Sequence, residues 1–298
     1  MAKLFVGVDL EEGYGGPVEW AQRLAEWTGF ELELVHVVER VPAEAGVQAL
    51  RSRRPEALQR ILDEAEQEVR QRLVEWGIEG AADLPVTVRI GRPARELTAR
   101  AAESEEGVLV LGPGRRRWMD TLLGTTTDRA LRKAKVPVVV ARGILGARPD
   151  RVLASVDLSE GSDLVLREAR RWASSLDASA VAYHVPQPRW TNAFLEGRRE
   201  HVYDEMFESP EEMEERASSE LTELLSSVGQ GDGRFEAELG ESRADPAEAL
   251  ERRLSKGDVG LMVMGTHGVG GVDRMILGSV AETLARRSPV PVVVVPGP

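Results

Sequence analysis

The run Leu261-Met262-Val263-Met264-Gly265-Thr266-His267-Gly268 carries an apolar strand straight into a glycine pair, and after nine intervening residues Gly278-Ser279-Val280 opens a helical period reaching Arg287. Strand, glycine loop and helix in that order form one unit of a parallel α/β sheet. Gly265 and Gly268 let backbone amides approach a ligand closely, and the helix beginning at Gly278 offers free amides and the positive end of its dipole. Ser279 adds a hydroxyl donor. The unit reads as a phosphate cradle. No Gly-Lys-Ser or Gly-Lys-Thr follows it, so it is not a P-loop of the Walker type. No Gly-x-Gly-x-x-Gly follows the first strand either, which argues against a dinucleotide dehydrogenase.

Upstream, the chain carries a second version of the same plan. Leu4-Phe5-Val6-Gly7-Val8-Asp9 matches Val152-Leu153-Ala154-Ser155-Val156-Asp157 at an offset of 148, and His36 matches His184 at the same offset. Pro93 pairs with Pro246 at 153, while Gly124-Thr125 pairs with Gly278-Ser279 and Pro137 with Pro291 at 154. Two unrelated domains would not keep these landmarks in order. The chain is therefore expected to be a duplication, with domains over 1–145 and 146–298.

In each repeat, runs such as LFVGV, LELVHVV, VTVRI, GVLVLG and VPVVVA are short, β-branched and bounded by turn residues. Helical periods lie between them, over 18–27, 56–76, 94–102 and 122–133 in the first repeat, and Pro93 and Pro246 sit where a helix start tolerates a missing amide. The expected fold class is α/β: two tandem doubly wound domains, each a five-stranded mainly parallel sheet with helices on both faces and right-handed crossovers. Ligands in such sheets bind at the carboxyl edge beside the strand-order reversal, so chemistry is sought after the first and fourth strands. The apolar last strands, VPVVVA and VPVVVVP, would be sheet edges that demand a partner. Residues 39–53 and 186–210 fall outside the plan, and the latter reads as a surface excursion or lid leading into a solvated helix.

Composition narrows the function classes. With 298 residues, 42% of them hydrophobic, the chain can bury two cores. Fifty acidic against 38 basic residues give a net charge of −12, which disfavours nucleic acid and anionic membrane surfaces. The absence of cysteine excludes disulfides, thiolate nucleophiles and cysteine metal sites. The amino-terminal MAKLFVGVDLEE turns acidic too early for a secretory signal, and no apolar run approaches the roughly 20 residues of a membrane span. A cytoplasmic protein is expected.

The stretch MGTHGVGGVDRMILGSVAETLARRSPVPVVVV is similar to the nucleotide-binding signature of the universal stress protein family, Gly-x2-Gly-x9-Gly-[Ser/Thr], and the domain plan over nearly the whole chain resembles a tandem member of it. The resemblance implies an adenine nucleotide, ATP above all, at the carboxyl edge, with Mg or Mn held by the phosphates. It implies that Asp157 faces the nucleoside and Val185 contacts the adenine. Met264, Gly265 and Gly268 would line the nucleoside and phosphates, Gly278, Ser279 and Val280 would close around the phosphate tail, and Thr266 and His267 lie in the same loop. The weaker counterparts in the first repeat are Asp9, Val37, Gly112, Gly114, Gly124 and Thr125. There Gly112-Pro113-Gly114 is one residue short, proline removes an amide, and Arg115-Arg116-Arg117 follows, a run read as a solvated turn. His36 and His184 each end an apolar strand, a place for a hydrogen-bonded packing residue more than for a proton shuttle.

Three functions stand open at this point. One is a nucleotide-binding stress or signalling protein with an unknown protein partner. Another is a slow ATP hydrolase or phosphoryl-transfer enzyme, for which no base or catalytic lysine is recognisable, and the third is a scaffold that binds no nucleotide. The family resemblance also implies an internal pseudo-dimer of the two domains and a possible homodimer.

Overall fold

A computed structural model describes residues 2–10, 15–39, 55–114, 123–142, 147–188, 208–228, 235–266 and 277–297. The first repeat contributes β1 (Lys3–Val8), α1 (Gly15–Thr28), β2 (Glu31–Val38), α2 (Pro55–Glu75), β3 (Val86–Ile90), α3 (Pro93–Ala101), β4 (Gly107–Leu111), α4 (Thr125–Lys133) and β5 (Val138–Val140). The second contributes β6 (Arg151–Ser155), α5 (Ser162–Leu176), β7 (Ser179–His184), α6 (Pro210–Ser227), β8 (Phe235–Leu239), α7 (Pro246–Leu254), β9 (Leu261–Gly265), α8 (Ser279–Arg287) and β10 (Val292–Val295). Helix α4 begins three residues later than the apolar period of residues 122–133 suggests, because Gly124, with extended backbone, is its N-cap.

The strands form one ten-stranded sheet in the order β3-β2-β1-β4-β5-β10-β9-β6-β7-β8. All pairs within a repeat are parallel, and their registers repeat the sequence offsets: Leu4 opposes Leu32 and Val108, while Val152 opposes Ala180 and Leu261. The last strands, each an edge of its own repeat's sheet, are where the two repeats join, as an internal pseudo-dimer requires. They pair with each other, antiparallel, with Val139 opposite its own counterpart Val293, so a pseudo-twofold axis passes through that pair. The demand of an apolar edge strand for a partner is thus met inside the chain, and the outer strands β3 and β8 become the sheet's edges. Their ladders carry polar residues that suit a half-solvated position: Thr87 and Arg89 on β3, Glu236 and Glu238 on β8.

Alternation along each strand sends side chains to opposite faces, and two cores result. Val6, Val8, Val110, Ala154 and Val263 pack with α1, α2, α5 and α6 on one face. Phe5, Leu109, Leu111, Leu153 and Met262 pack with α3, α4, α7 and α8 on the other. Pro93, Pro210 and Pro246 occupy first-turn positions where no intrahelical donor is needed. Ser209 and Glu212 form a reciprocal capping box on α6, and Asp245 caps α7 through the Glu248 amide at 3.0 Å. Side chains also tie the repeats together. Phe30 and Trp172 have ring centroids 5.5 Å apart, Arg171 lies over Phe30 and donates to Glu106 O at 3.1 Å, and Arg132 lies 3.8 Å from Glu282.

Candidate functional site: a cavity at each carboxyl edge

In each repeat the first and fourth strands are neighbours from which the chain departs in opposite directions, and a crevice opens beyond their ends. In the second repeat this is a cavity of about 470 Å³ between the ends of β6, β7 and β9 and the start of α8. Asp157, Val185, Met264, Gly265, Thr266, Gly278, Ser279 and Val280 all line it. His267 and Gly268, the remaining two expected there, lie outside the described residues. Leu250, Val165, Pro246 and the terminal Pro296-Gly297 complete the walls.

Asp157 stands where the chain leaves β6 for α5. Leu158 takes a left-handed conformation, φ 61°, which folds the chain back on the carboxylate. As a result Oδ1 accepts three hydrogen bonds: from the Ser159 amide at 3.1 Å, the Ser159 hydroxyl at 2.6 Å and the Ser162 hydroxyl at 3.0 Å. Ser162 is the first residue of α5, so the helix dipole also favours the negative charge. Oδ2 is buried and has no partner among the described residues. A buried acceptor left unpaired costs free energy unless something donates to it.

His184 is buried, and its Nδ1 donates to Val156 O at 2.9 Å. Burial pushes its pKa down; the Val156 bond and the charge of Asp157 pull the other way and do not restore it. The ring is therefore neutral at pH 7, with Nε2 an acceptor. His36 makes the same bond to Val8 O, also at 2.9 Å, so both histidines brace the first two strands of their repeat as packing residues. Arg216 of α6 reaches the same rim, where Glu208 takes its Nε and Nη2 at 2.8 and 2.7 Å and Gln187 O a further Nη2 proton at 3.1 Å.

The glycine loop differs from the expectation in one respect. The Gly278 amide is not free: it donates to Thr266 O at 2.8 Å. Thr266 is buried and structural, its amide bonding Val295 O at 3.0 Å and its hydroxyl accepting from Gly297 N at 3.2 Å. The amides of the first turn of α8, on Ser279, Val280 and Ala281, remain without an intrahelical acceptor, because Glu282 is the first residue to bond back to Gly278 O. These three amides, not that of Gly278, are what the helix start offers to an anion, with the helix dipole behind them.

In the first repeat Asp9, Val37, Gly112, Gly114, Gly124 and Thr125 line an equivalent cavity of about 590 Å³, with His36, Glu39 and Leu97. The shortened loop keeps the key contact, since Gly124 N donates to Pro113 O at 2.9 Å just as Gly278 N does to Thr266 O. What proline removes is thus the counterpart of the Thr266 amide, a brace to the neighbouring strand and not a ligand donor. The loop is instead pinned by the buried Thr127 hydroxyl, which donates to Gly112 O at 2.7 Å, and by backbone contact between two glycines. Gly114 has φ +100°, and a Cβ there would fall on the Gly124 backbone. The arginine run 115–117 lies outside the described residues.

Sequence reasoning missed Ser159, Ser162 and Arg216. The first two had a signal, since Asp157-x-Ser159-x-x-Ser162 at a helix start is a pattern of local side-chain-to-backbone bonding. Arg216, inside a glutamate-rich helix, had none.

Fold and cavities together define a duplicated, doubly wound α/β protein with a ligand-sized cleft in each half. A sequence model of the universal stress protein family matches residues 1–142 and again 149–296. A universal stress protein of Mycolicibacterium smegmatis is 29% identical over 301 residues, covering 98% of this chain and 96% of its own. One of Mycobacterium tuberculosis is 29% identical over 312 residues, covering 98% and 95%. Among solved structures, a universal stress protein from Archaeoglobus fulgidus superposes with a TM-score of 0.65 at 20% identity, covering 98% of this chain and 97% of that one. The chain belongs to the universal stress protein family, as a tandem of two such units. Among the described residues no helix is long and apolar enough to cross a membrane.

Proposed function

We propose that the second cavity binds an adenine nucleotide, ATP above all, and that the protein acts in a stress response by changing its conformation or partner contacts with nucleotide occupancy. The observation that carries this reading is Asp157, a residue lining a 470 Å³ cavity whose buried Oδ2 has no donor among the described residues. A nucleoside supplies such a donor from its exocyclic amine or ribose hydroxyl. The neutral His184 and the carboxylate make this end of the cavity rich in acceptors, which suits a base that presents an amine. Val185, Leu250 and Met264 offer apolar walls to a base. At the other end the first turn of α8 supplies backbone donors and a favourable dipole for phosphate oxygens.

A divalent cation, Mg or Mn, would be held by the phosphates. Among the described residues no group of three or more carboxylate or imidazole side chains is arranged to hold an ion. A domain division over 1–145 and 146–298, cytoplasmic location and homodimer formation belong to the same proposal.

The test is to release co-purifying nucleotide with acid, identify it by chromatography and count molecules per chain in the wild type and in Gly278→Glu, whose carboxylate would meet the phosphates. About one adenine nucleotide per chain, lost in the variant, is expected. No nucleotide, together with no rise in Tm on adding ATP and magnesium, overturns the reading, because a ligand selective for the folded state must raise Tm.

A further inference from the structure

The most specific feature of the second cavity is not the free oxygen of Asp157 but the way its other oxygen is held. Oδ1 takes all three of its donors from one turn, Ser159 N, Ser159 Oγ and Ser162 Oγ, at 3.1, 2.6 and 3.0 Å. The left-handed Leu158 makes that turn possible, a conformation that a leucine adopts only when its surroundings impose it. A carboxylate with one oxygen so fully engaged cannot rotate about its last bond without breaking three bonds. Oδ2 is thereby held where it is, buried and, among the described residues, unpaired, in a residue that lines the cavity. Serving α5 alone would not need this geometry: the helix takes Gly161 as its N-cap with no side-chain cap, although two serines adjoin it.

The first repeat sharpens the point. At the same offset of 148, the positions of Ser159 and Ser162 are held by Glu11 and Tyr14, while Asp9 is kept. The carboxylate is common to both repeats and the pair of serines belongs to one.

We infer that Ser159 and Ser162 are positioning residues: by donating together to Asp157 Oδ1 they aim Oδ2 at a donor on the ligand and set the second cavity's preference for ligands that carry one. This inference rests on the nucleotide reading of the same cavity. The ligand's donor is an exocyclic amine or a ribose 2′-hydroxyl. Preorganisation of the acceptor is what the serines contribute, since without them the carboxylate must be ordered at the moment of binding.

The experiment is calorimetric titration of the full chain, stripped of nucleotide, with three probes: ATP, the triphosphate of purine riboside, which lacks the 6-amine, and 2′-deoxy-ATP. The variants are Ser159→Ala/Ser162→Ala and the hydroxyl-retaining Ser159→Thr. The double variant is expected to bind ATP about 10-fold more weakly, the value of one hydrogen bond to a charged group. It should bind whichever analogue lacks the contacted donor as well as the wild type does, and Ser159→Thr should stay within about twofold of wild type for ATP. The Tm of each stripped variant, within a few degrees of wild type, checks that the variants fold.

A double variant that weakens all three probes equally overturns the inference, because the serines would then merely support the turn. So does a double variant that binds ATP unchanged, or a wild type that binds ATP and both analogues alike. A wild type that binds none of the three probes overturns the nucleotide reading and this inference with it, so the two failures are told apart by the wild-type titration alone.

Discussion

Arg100 of α3 and Arg253 of α7 occupy the same place in the two repeats, yet the charge that is buried is of opposite sign. In the first repeat the buried group is the acid. Glu33 on β2 has a side chain only 4% exposed, held by Arg100 Nε and Nη2, both at 2.8 Å, by Lys3 Nζ at 2.8 Å and by the Thr87 hydroxyl at 2.8 Å. Burial alone would raise its pKa, but these donors outweigh it and hold the carboxyl below the usual range. In the second repeat the buried group is the base. Arg253 is 4% exposed, and its partners Glu238 and Asp258 are 31% and 39% exposed. Hydrogen bonds from Arg253, against a smaller opposing effect of burial, hold Asp258 at about 2. Duplication has preserved the backbone, the arginine and a carboxylate just before the fourth strand, Glu103 at 2.6 Å from Arg100 and Asp258 at 2.6 Å from Arg253, while the other carboxylate has moved from the second strand, Glu33, to the third, Glu238. What the fold requires at this spot is a closed ion pair between helix and sheet edge; which partner is desolvated is free to drift.

Removing the arginine should break that equivalence and gives the largest effect we expect. Arg100→Met strands a buried carboxylate with Lys3 and Thr87 alone, at a cost of about 3 kcal/mol. Arg253→Met removes the buried charge itself and leaves behind two carboxylates that water reaches, at a cost of about 1 kcal/mol. Urea unfolding followed by circular dichroism measures both; equal costs would mean that the side-chain exposures do not govern the energetics. The same comparison has a pH arm. Both carboxyls titrate lower in the folded state than unfolded, so their stabilisation is fully present above the ordinary carboxylate range and is lost as pH falls, through about 2 in the case of Asp258.

The two glycine loops differ in how they are fastened, and the next effect in size comes from there. In the first repeat Thr127 Oγ1 ties α4 to Gly112 O, whereas the equivalent residue in α8 is Ala281. Thr127→Ala leaves a buried carbonyl short of a donor and should cost about 1 to 2 kcal/mol. Thermal melts of this variant against Ala281→Ser, which offers α8 the missing hydroxyl without a further methyl, would sharpen the contrast. A loss in the first with no gain in the second fits two loops closed by different means, and equal and opposite shifts would show that one fastening serves both.

Much of this was legible in the residues. Short β-branched runs between helical periods, a repeated Asp at the end of the first strand and a repeated Gly-[Ser/Thr] opening a helix were enough for the doubly wound plan and the place of both cavities. Eight of the ten residues singled out in the second repeat line its cavity, and the other two lie outside the described residues. What was not legible depended on pairing at a distance. Nothing in VPVVVA and VPVVVVP tells that the partner of each is the other, antiparallel, because an apolar run reports a need for burial and not its direction. Nor could Gly278 be known to spend its amide on Thr266, since which of a helix's first amides is free depends on the path of the preceding loop. The inversion at Arg100 and Arg253 was hidden for the same reason, as exposure is a property of the packed sheet edge and not of the residue type.

The smallest effects come from the titrating groups that burial shifts in opposite directions. His184 is held below its ordinary 6.5 in the folded protein, so its contribution is fully present above pH 6.5 and is lost as pH falls through its folded value. In His184→Gln the decline in Tm of the nucleotide-free protein between pH 6.5 and 5 should be shallower than in the wild type. Glu168 behaves in the opposite sense. It lies on α5 where the first repeat has Trp20, it accepts the Trp172 indole N–H at 2.8 Å, and burial raises its pKa above the ordinary 4.5 more than Arg171 and that bond lower it. A group raised in this way contributes stability that is present below pH 4.5 and lost as pH rises through its folded value. Above that value the folded protein holds an ionised carboxylate in a place that disfavours it. Glu168→Gln keeps an acceptor for the indole and cannot ionise, so its Tm relative to wild type should rise as the pH is taken from 4 to 8. A loss of stability at pH 7 would show that the pair with Arg171, at 3.3 Å, outweighs the burial of the carboxylate.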